Sequence, residues 1–325
     1  PYQHWRLKGD IPELEFRWMA EASTRLAALQ TGEIHITTLP EDLVKQAEGE
    51  GMKVYRGTQE GRRAFMSFRG VYVDEESSCG FKFCDTPLLD VNVRKAMNKA
   101  IDRDALNSAF FGNKGIPMYM NHIPNGHPAF NPDWKSNFPQ EYGFDPAAAK
   151  QLLADSGYSS SKPVKTRMHV RIIPAFGGAA DVQEAVAGFW QDVGIDAELV
   201  TLDPAALRAK GRKGEVEDLV SMAVSSSFDI QGWRVYNSHV PPAYVGYETA
   251  ELNSLSRQMQ SSMEIDQQYA LLGQIGNLAY TDHVGIPLFW IPAEVIGNPE
   301  FIESYSFPGS LSQMWTHVER IKGAR

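Results

Sequence analysis

The sequence predicts a protein of the α/β class. Helix and strand patterns alternate along its 325 residues, and neither an internal repeat nor a low-complexity segment interrupts them. At about 150 residues per domain, the length suggests roughly two domains. With 43% hydrophobic and 11% aromatic residues, the chain can build a core without metals or disulfides, which excludes intrinsic disorder.

The first predicted elements are a strand and a helix near the N-terminus. Residues 14–18 read Leu-Glu-Phe-Arg-Trp, an alternation typical of a strand. Residues 23–30 carry helical apolar spacing and stop before Gly32, which predicts a helix with a left-handed glycine cap. Strand alternation resumes at residues 34–36.

The clearest helix is predicted to begin at Asp181. Its apolar residues recur at three- and four-residue spacing as far as Val193, which marks one buried stripe, and Glu184 is placed to complete a capping box. Gly194 ends this helix, and residues 195–199 then alternate as a strand. A helix followed by a strand is the repeating unit of an open α/β sheet.

A further helix and a long loop are predicted in the middle of the chain. Asp145 before Pro146 has the form of an N-cap followed by proline at the first helical position, and Gly157 is the matching stop. Between Phe111 and Phe144, proline, asparagine and glycine are frequent and few positions are periodic. That composition predicts a long ordered loop, a common location for binding residues.

The charge balance argues against a nucleic-acid partner. The chain has 31 basic and 40 acidic residues, a net charge of −9, and no block of five or more like charges. Phosphate binding requires clustered lysine and arginine, so small molecules or neutral surfaces are the expected partners. No apolar run is long enough to predict a membrane span.

The two cysteines, Cys79 and Cys84, enclose the short segment Gly-Phe-Lys-Phe. A zinc site would require a second Cys/His pair at short spacing, which the sequence does not supply. A disulfide-closed loop in an exported protein and two separate thiols are the alternatives that stay open.

No catalytic motif is recognisable. The glycine-rich nucleotide-binding, Walker-type, zincin and esterase patterns are all missing, and no nucleophile, base and orienting partner can be assembled from local motifs. The sequence predicts no cofactor. An α/β enzyme such as a hydrolase, or an interaction module without a small-molecule ligand, remains an alternative function.

Three segments carry a resemblance to a known family. They are residues 22–34 (ASTRLAALQTGEI), 89–105 (LDVNVRKAMNKAIDRDA) and 144–158 (FDPAAAKQLLADSGY). In this order they are similar to the family 5 extracellular solute-binding proteins, the peptide- and nickel-binding components of ABC importers. All three are helix-and-cap scaffolding, and Arg94 is expected to make structural polar contacts rather than to touch a solute.

The resemblance implies a fold similar to type II periplasmic binding proteins, in which a lobe with a mixed open sheet flanked by helices is joined by a C-terminal tail from the other lobe. Residues 1–13 are then a linker from an N-terminal lobe that this chain lacks. Residues 14–285 form the second lobe, and residues 286–325 return to the first lobe. Because the tail covers only a remnant of that lobe, three aromatic residues are expected to be exposed or packed against a neighbouring copy: Phe289, Trp290 and Trp315.

The resemblance also implies a function without catalysis. Such a protein captures a small-molecule solute between two lobes and delivers it to an ABC permease in the membrane. The implied location is periplasmic, or extracellular with a membrane anchor. A peptide, an opine, an oligosaccharide and a metal chelate all remain open as the solute.

Candidate ligand residues follow from the same resemblance. Family members carry an aspartate near the ligand after a buried strand, and the corresponding strand here is residues 219–224. Asp229 is therefore the candidate partner for an ammonium group in a desolvated cleft, with capping of a following helix as the alternative. The other candidates supply aromatic surface and one cation: Phe176, Trp233, Arg234 and Tyr236.

Overall fold

A computed structural model describes residues 9–57, 62–171, 173, 178–225, 230, 232–233, 246–291, 294–306 and 317–324. The strands, in chain order, are β1 (Ile36–Thr37), β2 (Lys53–Arg56), β3 (Arg62–Arg69), β4 (Ile116–Pro117), β5 (Val164–His169), β6 (Ile195–Val200), β7 (Leu219–Ser225), β8 (Gly285–Ile291), β9 (Glu294–Gly297), β10 (Ile302–Tyr305) and β11 (Ile321–Gly323). The α-helices are α1 (Ala22–Gln30), α2 (Glu41–Gly49), α3 (Val91–Lys99), α4 (Arg103–Phe111), α5 (Pro132–Tyr142), α6 (Pro146–Asp155), α7 (Ala179–Gln191), α8 (Pro204–Arg212), α9 (Ala250–Ser261) and α10 (Ile265–Thr281).

The largest sheet has six strands in the order β4-β8-β3-β7-β5-β6. Strand β3 pairs antiparallel with β7 and β8, whereas β5 pairs in parallel with β6 and β7. Both faces of β3 are buried, because Ala64, Met66 and Phe68 join the main core while Phe65 joins a second cluster with Trp290. The predicted mixed α/β architecture is confirmed.

The helices in the three segments that resemble the family, which we call the signature segments, have the predicted caps. Helix α6 begins where the Asp145 side chain accepts a hydrogen bond from the Ala148 N–H at 2.9 Å, and Gly157 follows it with a φ of 79°. Gly32 has a φ of 73° just after α1. The apolar face of the 89–105 segment is buried in the main core, as its spacing predicts; its members are Val93, Ala96, Met97, Ala100 and Ile101.

Three local predictions are wrong. Helix α7 begins at Ala179, so Asp181 lies in its first turn and no side chain caps it. The predicted loop from 111 to 144 contains helix α5, which Asn131 caps through the Asp133 N–H. Pro139 lies inside this helix, and because a proline there is untypical of helices, the sequence pattern did not predict one.

The third wrong prediction is the strand at residues 14–18. The segment has no strand partner among the described residues, and its apolar side chains are exposed, at 45% for Leu14, 67% for Phe16 and 86% for Trp18. Alternation supplies the two faces of a strand, but a neighbouring strand must supply the hydrogen bonds.

A smaller three-stranded sheet has the order β1-β9-β2, with both pairs antiparallel. Successive residues of β9 enter different cores: Val295 packs with Tyr55 and the paired strands β10 and β11, whereas Ile296 packs with α1 and α2. Residues 9–57, 294–306 and 317–324 therefore form one packed unit, the small body.

The remaining described residues, from 62 to 291, form the sheet body around the six-stranded sheet. The chain crosses between the two bodies twice, once between β2 and β3 and once between β8 and β9. The sheets do not follow the predicted boundary at residues 285 and 286, because β1 and β2 pair with β9 while β8 lies inside the larger sheet. The assignment of these parts to two lobes stays a prediction.

The exposure expected for Phe289 and Trp290 is wrong. Their exposed fractions are 2% and 1%, because β8 is paired on both sides, with β3 and with β4. Phe289 also packs against the ring of Phe111, with centroids 4.9 Å apart. Trp315 lies outside the described residues.

Candidate functional site

The main cavity of the described structure lies between the two bodies and has a volume of about 1530 Å³. Its walls come from the ends of elements: the segment 11–22, the start of α2, the end of α4, the start of β3 and the junction of β8 with β9. Clefts between two packed units are typical places for a small-molecule ligand.

One wall of the cavity is the extended segment 11–22. Arg25 of α1 holds this segment by donating to the Met19 carbonyl at 2.9 Å and to the Ala20 carbonyl at 2.7 Å. The same guanidinium donates to the Thr38 carbonyl at 3.1 Å. Arg25, which belongs to the signature segment 22–34, therefore positions one wall of the cavity.

Aromatic side chains offer stacking surface on the small-body side. Phe16 and Trp18 line the cavity and are largely exposed. Phe301 also lines it and stacks on His35, with ring centroids 4.3 Å apart. Exposed aromatic rings beside polar groups are a common composition for binding sites.

Charged groups converge at the junction of the two bodies. The Lys114 ammonium lies 2.9 Å from a Glu41 carboxylate oxygen and 3.2 Å from a Glu294 oxygen, and Arg56 donates to Glu294 at 2.6 Å. Burial by itself lowers the pKa of Lys114, but the two carboxylates outweigh burial and raise that pKa above its ordinary value. Lys114 is therefore charged at neutral pH.

Arg62, the first residue of β3, also lines the cavity. Burial lowers the pKa of its guanidinium, and the negative charge of Glu294 opposes that effect. Arg63 next to it pairs in register with Ser225, the last residue of β7.

Four predicted ligand residues lie outside the described residues: Phe176, Asp229, Arg234 and Tyr236. Trp233 is described and is 1% exposed. Its indole N–H donates to the Ser256 hydroxyl at 2.8 Å, and its ring packs edge-on to His122. In this arrangement Trp233 is a core residue that does not line the main cavity, and its contact with a solute stays a prediction.

The structure contains a disulfide between Cys79 and Cys84. It closes a turn next to the bridge between Val73 and Phe81, on the exposed surface of the sheet body. The sequence left two alternatives open, a disulfide-closed loop and two separate thiols, and the structure has the disulfide-closed loop.

Among the described residues, no group of three or more His, Cys, Asp or Glu side chains is placed to hold a metal ion. Among the helices described, none combines the length and the apolar character that crossing a membrane requires.

Sequence reasoning missed the charged group at the junction. Glu41, Lys114 and Glu294 are far apart in the chain, and none belongs to a recognisable motif. Glu41 and Glu294 each begin an element, but a residue's position in its element does not reveal its partner in another body.

Comparisons with known proteins agree with this architecture. The profile of the bacterial extracellular solute-binding proteins, family 5 Middle, matches residues 1–243. The dipeptide-binding protein of Escherichia coli K12 is 26% identical over 214 residues, which are 65% of this chain and 36% of that protein. This chain is thus much shorter than that relative.

Solved structures show the same fold. The ABC transporter substrate-binding protein CtaP of Listeria monocytogenes superposes with a TM-score of 0.73 at 16% identity, covering 95% of this chain and 59% of that one. The periplasmic binding protein DppA of Helicobacter pylori, in complex with the peptide STSA, gives a TM-score of 0.70 at 19% identity, with coverages of 95% and 56%.

Two α/β bodies joined by two chain crossings around a cavity define the class of periplasmic-binding-protein-like folds. The chain belongs to the bacterial extracellular solute-binding proteins of family 5.

Proposed function

We propose that this chain is part of the solute-binding component of an ABC importer and holds a small polar, peptide-like solute in the cavity between its two bodies. The observation that carries the proposal is the position of that cavity. It lies where the chain crosses twice from one body to the other, so a change in the angle between the bodies would open or close it.

The preference for a peptide-like solute is supported by two features. The relative from Escherichia coli is a dipeptide-binding protein, and the solved Helicobacter pylori protein is in complex with the peptide STSA. The cavity also offers stacking rings beside charges of both signs, which suits a ligand with an ammonium, a carboxylate and side chains. Asp229 is proposed as the partner of the ammonium, and Phe176, Arg234 and Tyr236 as further contacts.

The location proposed for the protein is outside the cytoplasm. The disulfide between Cys79 and Cys84 supports this location, because such bonds persist in oxidising compartments. Delivery to an ABC permease and attachment to a membrane surface complete the proposal.

The small body is proposed to belong to the first lobe, and the sheet body to be the second. The exposed side chains of Leu14, Phe16 and Trp18 support this assignment. Apolar side chains on one face of an extended segment are normally covered by another layer of structure, and the rest of the first lobe would supply that layer.

The test is a binding screen with mass-spectrometric detection of turnover. Di- to tetrapeptides, opines, oligosaccharides and metal chelates are compared by thermal shift and then by calorimetry. We expect saturable binding of a peptide with no chemical change in it. Conversion of the ligand would favour the enzyme alternative, and no binding by any class would favour an interaction module.

A matched pair of variants on α4 locates the binding site. Ala109 lines the cavity, whereas Ala105 lies on the same helix, is exposed and does not line it. Filling the cavity with Ala109→Trp is expected to weaken binding by about tenfold or more, and Ala105→Trp by less than about twofold. Equal effects of the two substitutions would place the ligand elsewhere.

A further inference from the structure

We infer that three charged residues, Lys114, Glu41 and Glu294, act together to set the separation of the two bodies and thereby the affinity of the site. We call these residues the interbody triad. Lys114 belongs to the sheet body, and both carboxylates belong to the small body. All three side chains line the cavity.

The loop that carries Lys114 is held rigidly to the sheet body. Helix α4 ends at Phe111, and Gly112 and Asn113 both have positive φ, at 57° and 60°. This reversal lets the Lys114 N–H donate to the Phe111 carbonyl at 2.9 Å. The lysine therefore leaves the helix end in a fixed direction rather than from a loose connection.

A second set of bonds fixes the other end of the loop. The Asn107 side chain accepts from the Gly115 N–H at 2.9 Å and donates to the Gly115 carbonyl at 3.0 Å. Gly115 has no space for a side chain, since an added Cβ would lie 2.8 Å from the ring of Phe289. The backbone on both sides of Lys114 is thus anchored to buried parts of the sheet body.

The two carboxylates are equally well placed in the small body. Glu41 is the first residue of α2, and Glu294 is the first residue of β9. Arg56, on the neighbouring strand β2, donates to Glu294 Oε1 at 2.6 Å, whereas Lys114 contacts Oε2. The side chain of Glu294 is only 13% exposed and that of Glu41 is 23% exposed, so solvent screens their attraction to Lys114 less than at an open surface.

The position of the triad makes it a constraint on movement between the bodies. The covalent connections are the two crossings, and the crossing from β8 to β9 lies directly before Glu294. Any rotation that separates α4 from α2 must break the contact between Lys114 and Glu41. The triad therefore favours the arrangement seen in the structure over wider ones.

The consequence for the solute site rests on the proposed function, whereas the effect on body separation does not. A solute that contacts both bodies binds only the population with the correct separation, so its apparent affinity changes in proportion to that population. Lys114 is accordingly a positioning residue, which acts on the solute through the distance between the walls.

The test measures the separation directly and uses no solute. Spin labels are placed on Gln46→Cys and Lys165→Cys, two exposed positions in the small body and the sheet body, with the native disulfide kept oxidised. Distributions of the distance between the two labels are compared for the labelled protein with Lys114 intact and for the same labelled protein carrying Lys114→Met or Lys114→Arg. We expect Lys114→Met to increase the ratio of wider to observed separations by about three- to fivefold, the effect of losing a partly screened ion pair. Lys114→Arg, which keeps the charge, should restore the original distribution.

The matched control is Lys95→Met. The ion pair of Lys95 with Glu141 has a length of 2.5 Å and similar exposure, but it lies wholly within the sheet body. The Lys95→Met substitution should therefore leave the distance distribution unchanged. An unchanged distribution in Lys114→Met, or an equal change in Lys95→Met, would overturn the inference. If the separation changes but the affinity for a bound peptide does not, the triad stands and its link to the proposed solute site fails.

Discussion

The most direct test of the signature segment 89–105 is removal of the Arg94 guanidinium. Arg94 is 2% exposed, and it donates to the Asp282 carbonyl at 2.8 Å and to the carbonyls of Leu88 and Leu89 at 2.7 and 3.0 Å. Its guanidinium also lies 4.6 Å from the centre of the Tyr247 ring. The residue thus joins the start of α3 to the turn after α10.

The expected cost of Arg94→Leu follows from those bonds. Hydrogen bonds with a charged group contribute about 1.5 to 3 kcal/mol each. Dehydration of the buried guanidinium offsets part of that gain, so we expect the loss of all three bonds to lower the free energy of unfolding by about 3 to 4 kcal/mol. Leucine fills part of the volume but offers no donor, and the three buried carbonyls stay unpaired. Arg94→Lys should recover part of the loss, because an ammonium cannot reach all three acceptors at once.

Urea unfolding followed by far-UV circular dichroism measures the effect. Lys95→Met, on the same helix but part of an ion pair with side chains about one-third exposed, is the control and should cost less than about 1 kcal/mol. If Arg94→Leu costs no more than Lys95→Met, dehydration of the buried cation offsets its hydrogen bonds, and the proposed structural role is wrong.

Three further predictions concern other parts of the molecule. Replacing exposed Cys79 and Cys84 with serine should cost about 2 kcal/mol of stability, from the entropy of a short loop, and two free thiols in protein from an oxidising compartment would contradict the disulfide. Burial, aided by the charge of Lys95, lowers the pKa of His283 to about 3, so below pH 6.5 the unfolded chain takes up a proton that the folded chain does not. Stability should therefore fall by about 1.4 kcal/mol between pH 7.5 and 5.5 through this group, and comparison of unfolding at both pH values should show His283→Asn losing less than wild type by that amount; equal losses would refute the assignment. Asp229→Asn should weaken binding of a peptide with a free amino terminus by about 2 to 5 kcal/mol in calorimetry, whereas an affinity within about twofold of wild type would make the residue a cap or a bystander.

Features encoded within a dozen or so neighbouring residues were predictable. The cap of α6 by Asp145, the buried face of α3 and the glycine stops depend on backbone geometry and on the helical period, both of which are local. Local signals also failed where a second condition was needed. The segment 14–18 alternates as a strand but has no described neighbour, and Pro139 hid helix α5.

The sequence by itself determined the α/β class, the family and the position of the structural caps. The tertiary structure decided the rest: β2 and β1 pair with β9 across more than two hundred residues, and β8 is buried between β3 and β4 rather than left as an exposed tail. It also decided that Lys114 meets Glu41 and Glu294. The physical reason is that long-range pairs form wherever packing of the two bodies buries the most apolar surface, and that choice depends on all the elements together rather than on any one segment.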